Sequence, residues 1–141
     1  MRSIMRTSTF ARTRFAAESI REVVFGVEDG VVQNMTLIAG MVGAGLADRV
    51  IVIAGAINAI AGVLSMSMGT FLSSKAVRDV AASLNGGVPP PGARSPQRDA
   101  GVMAAAYAVG AVVPLVPFTI GVLSRSAAVA LAIALTGLAL F

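Results

Sequence analysis

Four long apolar stretches, almost free of charged residues, limit what this chain can fold into. They are residues 23–47, 50–72, 100–123 and 126–141. A helix needs about 20 residues, and no fewer than about 17, to cross the hydrocarbon core of a bilayer. The first three stretches exceed that length. The fourth has 16 residues and the chain stops inside it, so we expect it to continue beyond Phe141.

Inside lipid, backbone N–H and C=O groups must be paired within the protein, which leaves helices or closed barrels. Barrel strands alternate polar and apolar residues, and these stretches do not. The sequence therefore predicts an all-α fold, a polytopic transmembrane helical bundle with four transmembrane helices in this chain. The composition agrees, because 56% of the residues are hydrophobic and 13% are charged, against roughly a quarter charged in soluble domains.

Residue types that most enzymes need are missing. The chain has no histidine and no cysteine, so it lacks the commonest general base, the commonest transition-metal ligand and any thiolate. The glycine-rich run at residues 40–45 lies inside an apolar stretch with no lysine after it, unlike a phosphate-binding loop. We therefore expect no enzyme activity and no permanently bound cofactor.

Lysine and arginine lie mainly between the apolar stretches, so they indicate membrane topology rather than a nucleic-acid surface. A basic leader, residues 1–22, holds five, the long linker of residues 73–99 holds four, and each short turn holds one. By the positive-inside rule the leader and the linker are cytoplasmic and both turns lie outside. The chain thus divides into this leader and a transmembrane domain, residues 23–141. Because the leader has no acidic residue before Glu18, an organellar transit peptide is the alternative interpretation.

The three connections between the apolar stretches differ in length and composition. A two-residue turn at 48–49 makes the first two helices an antiparallel hairpin, and residues 124–125 join the last two. The stretch 85–92 is rich in glycine and proline and is incompatible with a continuous helix. Pro114 and Pro117 remove backbone donors from the third helix and are expected to kink it.

Glu28 and Asp29 are the two charges inside the first apolar stretch. Asp29 lies six residues after Val23, about 9 Å along a helix axis. A carboxylate at that depth is costly unless it is paired, hydrated or bound to a cation, so Asp29 is a candidate functional residue. The alternative, favoured for Glu28, is that the acids remain at the interface and stabilise the start of the helix.

Small and polar residues repeat at helical spacing on two neighbouring helices. One face of the first helix carries Asp29, Gln33, Thr36, Gly40 and Gly43, and one face of the second carries Gly55, Asn58, Gly62, Ser65 and Gly69. Close helix packing explains such faces, and so does a polar path between the helices; the pattern leaves both open. Met66 flanks the second face. A carboxylate with a thioether favours transition metals over Mg²⁺ or Ca²⁺.

Three segments, in order along the chain, form a recognisable set of motifs. The first is residues 21–32 (REVVFGVEDGVV) and the second is residues 64–75 (LSMSMGTFLSSK). The third comprises Tyr107, Gly110 and residues 114–118 (PLVPF). Together they resemble the first-, second- and third-helix signatures of the vacuolar iron transporter family.

This resemblance, which covers about residues 18–141, implies a function. Members of the family are homodimers that move Fe²⁺, and often Mn²⁺, out of the cytosol in exchange for protons. By the resemblance, Asp29 is the intramembrane carboxylate and Met66 the thioether on the path, with Asn58 as a third contact and Glu28 adding negative potential at the mouth. The implied partners are the lipid bilayer, a divalent metal ion as transported substrate, protons and a second copy. We expect the chain to lie in the cell membrane, and the charge pattern places its amino terminus in the cytoplasm.

The chain departs from the family pattern in three ways. Asn58 stands where the family usually has a glutamate, and an amide cannot carry a proton. The linker has only Asp79 and Asp99 as acids and lacks the metal-binding helices of the best-known members, and the usual fifth helix is missing. A non-transporting membrane protein, either a degenerate paralogue or a helix-association partner, is therefore the alternative function.

Overall fold

The computed structural model describes the backbone of residues 2–91, 93, 95–120 and 123–140, and side chains within those ranges from residue 19 onward. Its helices are α1 (Arg2–Gly43), α2 (Asp48–Leu84), α3 (Pro96–Val112), a 3₁₀ turn (Val113–Leu115), α4 (Val116–Thr119) and α5 (Arg125–Leu140). All regular secondary structure in the described residues is helical, which confirms the all-α class. The leader's side chains up to residue 18, and Phe141, lie outside the described residues.

The first two helices are longer than the apolar stretches that predict them. Helix α1 begins at Arg2, so the leader continues into the first apolar stretch without a break. Helix α2 extends past Leu72 to Leu84, since residues 73–84 contain no glycine or proline to end it. It stops where the breaker-rich stretch begins, and Gly86 and Gly87 there have positive φ.

The turn between α1 and α2 lies earlier than predicted. Residues 44–47 form it, with Gly45 at φ 73°, whereas Asp48 and Arg49 belong to the first turn of α2. The carboxylate of Asp48 is favourable at that helix end because the dipole there is positive. Across the bundle, Arg125 forms an ion pair with Asp48 at 3.3 Å. The two short connections therefore lie at the same end of the molecule, as the charge pattern requires.

The third apolar stretch is interrupted at its prolines. Helix α3 ends at Val112, the 3₁₀ turn carries Pro114, and α4 follows with Pro117 in its first turn. Each proline lacks an N–H and crowds the carbonyl four residues earlier, which accounts for the change in hydrogen bonding. Both prolines are buried.

Two helical units are long and apolar enough to cross a membrane by length and composition: α2, and the 24-residue run from α3 through α4. Four such helices were predicted; α1 carries polar residues that lower its mean hydropathy, and α5 has 16 residues. Only 17% of the most apolar window of α2 is buried. Its outer face is an unbroken stripe of large apolar side chains: Ile53, Ile57, Ile60, Leu64, Met68 and Leu72. A helix exposed in this way is suited to lipid, and the fold is a polytopic membrane bundle.

Helix α3 packs against both α1 and α2 at the centre of the bundle. Glycines bring α1 and α3 together: a Cβ at Gly26 would lie 2.7 Å from Ala106 Cβ, and one at Gly30 would lie 2.7 Å from Ala111 N. Such small residues let helix backbones approach closely in membranes. Beyond them a hydrophobic core joins α5 to the other helices through Ile38, Ile51, Leu115, Phe118, Ala128 and Ala132.

Candidate functional site

The polar face predicted on α1 is a surface of the single chain. Asp29, Gln33, Thr36, Gly40 and Gly43 are all exposed. A Cβ built on Gly40 or Gly43 would meet no atom within 4 Å. Close packing within the chain therefore does not explain this face, and its carboxylate lies on an open surface.

The corresponding face of α2 divides into two halves. Gly55 packs under the Leu115 side chain and Gly62 under the Tyr107 ring, so packing explains this half. Toward the linker end of α2, Ser65 and Gly69 are exposed. The second half of the face is therefore open, as the face of α1 is.

A chain of hydrogen bonds crosses the bundle beside these faces. The hydroxyl of Tyr107 donates to Gln33 Oε1, and Gln33 Nε2 approaches Asn58 Oδ1 at 3.5 Å. Asn58 Nδ2 donates to Asn34 Oδ1 at 3.0 Å, and Asn34 Nδ2 donates to the carbonyl oxygen of Ala111 at 2.6 Å. Asn34 and Tyr107 have no exposed surface. This tyrosine–amide network links α1, α2 and α3 through neutral groups that satisfy one another.

The Gln33–Asn58 pair also fixes how α1 and α2 align. The two helices are antiparallel, so moving toward the N-terminal half of α1 means moving forward along α2. Asp29 lies four residues from Gln33 in that direction, and Met66 lies eight from Asn58, which are about 6 and 12 Å along the axes. Asp29 is thus located between Asn58 and Met66 along the bundle.

The structure brings only some of the predicted site residues together. Asn58 belongs to the tyrosine–amide network, while Met66 lines a groove about 440 Å³ in volume that Asp29 does not line. Glu28 is exposed beside a different groove, between α1 and the end of α5. No group of three or more His, Cys, Asp or Glu side chains among the described residues is arranged to hold a metal ion.

Sequence reasoning missed three residues at this site. Asn34 is a fully buried polar residue on α1, Glu22 is a carboxylate with 9% of its surface exposed, and Met103 on α3 is 4% exposed. Glu22 and Met103 line the same groove as Met66. Asn34 carried a signal, since it is a second amide directly after Gln33 in an apolar stretch. Glu22 was assigned to the leader, and nothing in its local sequence predicts burial.

Comparison with known proteins identifies similarities over part of the chain. A family model described as the VIT family matches residues 20–86. Vacuolar iron transporter homolog 5 of Oryza sativa subsp. japonica is 35% identical over 105 residues, which are 70% of this chain and 50% of that protein. Vacuolar iron transporter 1 of Arabidopsis thaliana is 34% identical over 64 residues, 45% of this chain and 26% of that protein. The chain thus spans half or less of the length of these relatives.

Proposed function

This chain belongs to the VIT family, and from that premise we propose that it carries a divalent transition-metal ion, Fe²⁺ or Mn²⁺, across a membrane. Two relatives are named as vacuolar iron transporters or their homologues, and the matched residues 20–86 include both Asp29 and Met66. The fold supports the proposal because the chain is a membrane bundle whose first helix presents a polar face.

The observation that carries the proposal is the position of Asp29. Its side chain is exposed on the face of α1 that also bears Gln33 and Thr36, one helical turn from the Gln33 member of the tyrosine–amide network. A carboxylate facing hydrocarbon is costly unless a cation or a proton neutralises it. A metal ion passing along this face would neutralise the carboxylate, and its two positive charges would be attracted to the oxygen donors there.

Proton exchange follows from the same chemistry. Metal and proton compete for the oxygen atoms of one carboxylate, so loading a cation releases a proton. Asn58 is neutral and already accepts and donates hydrogen bonds, so the proposal assigns the exchanged proton to Asp29. Export from the cytosol requires Asp29 to be reached from the side of the amino terminus, which we place in the cytoplasm on the charge pattern.

A homodimer is part of the proposal. The open face of α1 and the open half of the α2 face would be covered by the same surfaces of a second copy, which would keep lipid away from Asp29. The membrane is assigned as the cell membrane on sequence grounds, whereas the relatives are named for the vacuole. Imaging the tagged chain in its own cells distinguishes the two locations.

The test is metal flux into vesicles that contain the purified chain. We expect Fe²⁺ or Mn²⁺ uptake, and we expect Asp29→Asn to lower it by at least the roughly 10- to 100-fold that loss of a metal-site support residue causes. Asp79→Asn is the matched control, because Asp79 is an exposed carboxylate on the part of α2 beyond its apolar stretch. It should leave the flux unchanged.

The alternative, a non-transporting membrane protein, makes the opposite prediction. Vesicles with the wild-type chain would then show no more metal uptake than empty vesicles, and Asp29→Asn would leave cellular tolerance of iron and manganese as it was. That pair of results would reject transport and favour a role in helix association.

A further inference from the structure

The groove that Met66 lines holds a second methionine and a buried carboxylate. Its lining includes Glu22 from α1, Met66 from α2 and Met103 from α3. Three hydroxyl side chains, Ser65, Thr70 and Ser73, line it as well. Donors from three helices therefore share one space, and Glu22, Met66 and Met103 are far apart in the sequence.

Contacts elsewhere in the bundle place the two methionines at the same level. On α1 and α2, the Gln33–Asn58 pair aligns Phe25 with Met66, since each lies eight residues from its member of the pair. On α1 and α3, a Cβ at Gly26 would approach the carbonyl oxygen of Met103 at 3.1 Å. Met66 and Met103 thus lie at the level of residues 25 and 26, by two sets of contacts that do not depend on the groove.

Two charged side chains of opposite sign, Glu22 and Arg21, line this groove. Glu22 is 9% exposed, so its carboxylate is held inside the protein. The guanidinium of Arg21, which also lines the groove, lies 5.6 Å from the centroid of the Phe25 ring. A cation–π contact of that kind holds the arginine against the aromatic face.

We propose that Met103 is a second thioether donor in a cation site formed with Met66 and Glu22, and that this site selects softer divalent ions. The proposal rests on the proposed function, and it adds a donor and a preference to that function. Two thioethers and one carboxylate favour a soft or borderline ion over a hard one, because sulfur adds little to the binding of a hard ion. The site is one helical turn from Asp29, on the amino-terminal side, so it lies before Asp29 on an export path.

Metal binding to the purified full chain tests the site without any transport. Calorimetric titration with Cd²⁺, a soft probe, and Mn²⁺, a hard one, gives the ratio of their dissociation constants. We expect Met103→Leu to weaken Cd²⁺ binding about tenfold, the lower end of the cost of removing a metal-site support residue, and to leave Mn²⁺ binding unchanged. Leucine preserves volume and apolar character, so the variant should fold.

Met68→Leu is the matched control. Met68 lies on α2 two residues from Met66, but its side chain is 58% exposed on the lipid-facing stripe. It should leave the affinity for both ions as in the wild type. If Met103→Leu also leaves the Cd²⁺ to Mn²⁺ ratio at the wild-type value, Met103 is a packing residue and the proposal is wrong.

Failure of this inference is distinguishable from failure of the transport function. If vesicles with the wild-type chain take up metal but Met103→Leu does not alter the ion preference, transport stands and the second donor is rejected. If the wild type binds Cd²⁺ through Met103 yet moves no ion, the site stands and transport is rejected.

Discussion

Each side chain of the tyrosine–amide network has a specific hydrogen-bond partner, and the ring of Tyr107 also depends on the space left by a glycine. The tyrosine–amide network is neutral, and each of its donors meets an acceptor on another helix or on the backbone. In lipid an unpaired amide would be costly, so these residues must be satisfied together. Tyr107 reaches Gln33 only because Gly62 leaves room for its ring.

Gly62→Ala should therefore destabilise the chain. A Cβ at this position would overlap the hydroxyl and ring atoms of Tyr107, and overpacking of this kind costs about 1–3 kcal/mol. Gly69→Ala on the same helix is the control, because a Cβ there would meet nothing within 4 Å. Thermal unfolding in detergent should show a lower midpoint for Gly62→Ala alone.

A second substitution separates the steric cause from helix propensity. In a Tyr107→Leu background the ring is absent, so adding Gly62→Ala should cost little. If Gly62→Ala lowers the midpoint equally in both backgrounds, the contact with Tyr107 does not explain its effect.

Much of the site's content, but little of its arrangement, was predictable from the residues. Asp29 and Asn58 stand out in the sequence because polar residues are rare in apolar stretches. The separation of these two residues along the bundle could not be predicted, because it depends on how α1 and α2 align. The Gln33–Asn58 pair sets that alignment. The burial of Glu22 and Met103 depends on the position of α3, which no local pattern specifies.

At the scale of elements, backbone contact between α1 and α3 determines the arrangement. Gly110 lies against the backbone of Val27, with an ideal Cβ only 2.9 Å from Val27 Cα. Gly26 and Gly30 make the reciprocal approach from α1. Backbone cannot move aside as a flexible side chain can, so these positions tolerate no added atom.

We predict that Gly110→Ala separates α1 from α3 and costs about 2–3 kcal/mol, the upper part of the range for overpacking. Gly101→Ala, on the same helix at an exposed position with nothing within 4 Å, should instead be neutral or stabilising by about 0.5–1 kcal/mol, since alanine is the better helix former. Equal unfolding midpoints for the two variants would contradict the proposed backbone contact.

The order of the helices was predictable from the hydrophobic runs, but the residues at which they end depend on helix propensity and on glycine. Hydrophobic runs mark where lipid solvates a helix, but helix propensity continues beyond them, so α2 reaches Leu84 rather than Leu72. The glycine- and proline-rich stretch that follows was a reliable stop. The earlier turn was missed because Gly45, with its positive φ, ends α1 before the charged pair at 48–49.

At the scale of the whole molecule, charge and packing agree on an antiparallel arrangement. The Asp48–Arg125 ion pair joins the two short connections at one end. The linker after α2 lies at the other end, because α2 has 37 residues and is therefore about 55 Å long. That length exceeds the roughly 30 Å of hydrocarbon in a bilayer, so both ends of α2 reach water.

Cysteine labelling tests this topology directly, since the native chain contains no cysteine and each variant reports one position. Ala47→Cys and Ser124→Cys lie in exposed short connections, and Val88→Cys lies in the exposed linker. A membrane-impermeant maleimide added outside intact cells should label the first two and leave Val88→Cys unlabelled until the cells are opened. If the chain lies in an internal membrane, the same reagent added to isolated intact organelles should label Val88→Cys alone. The positive-inside rule sets this order, because residues 73–99 contain four basic residues and only one lies beside each short connection. Labelling of all three positions from one side would mean that α2 does not cross the membrane, and Asp29 would then have no lipid to be shielded from.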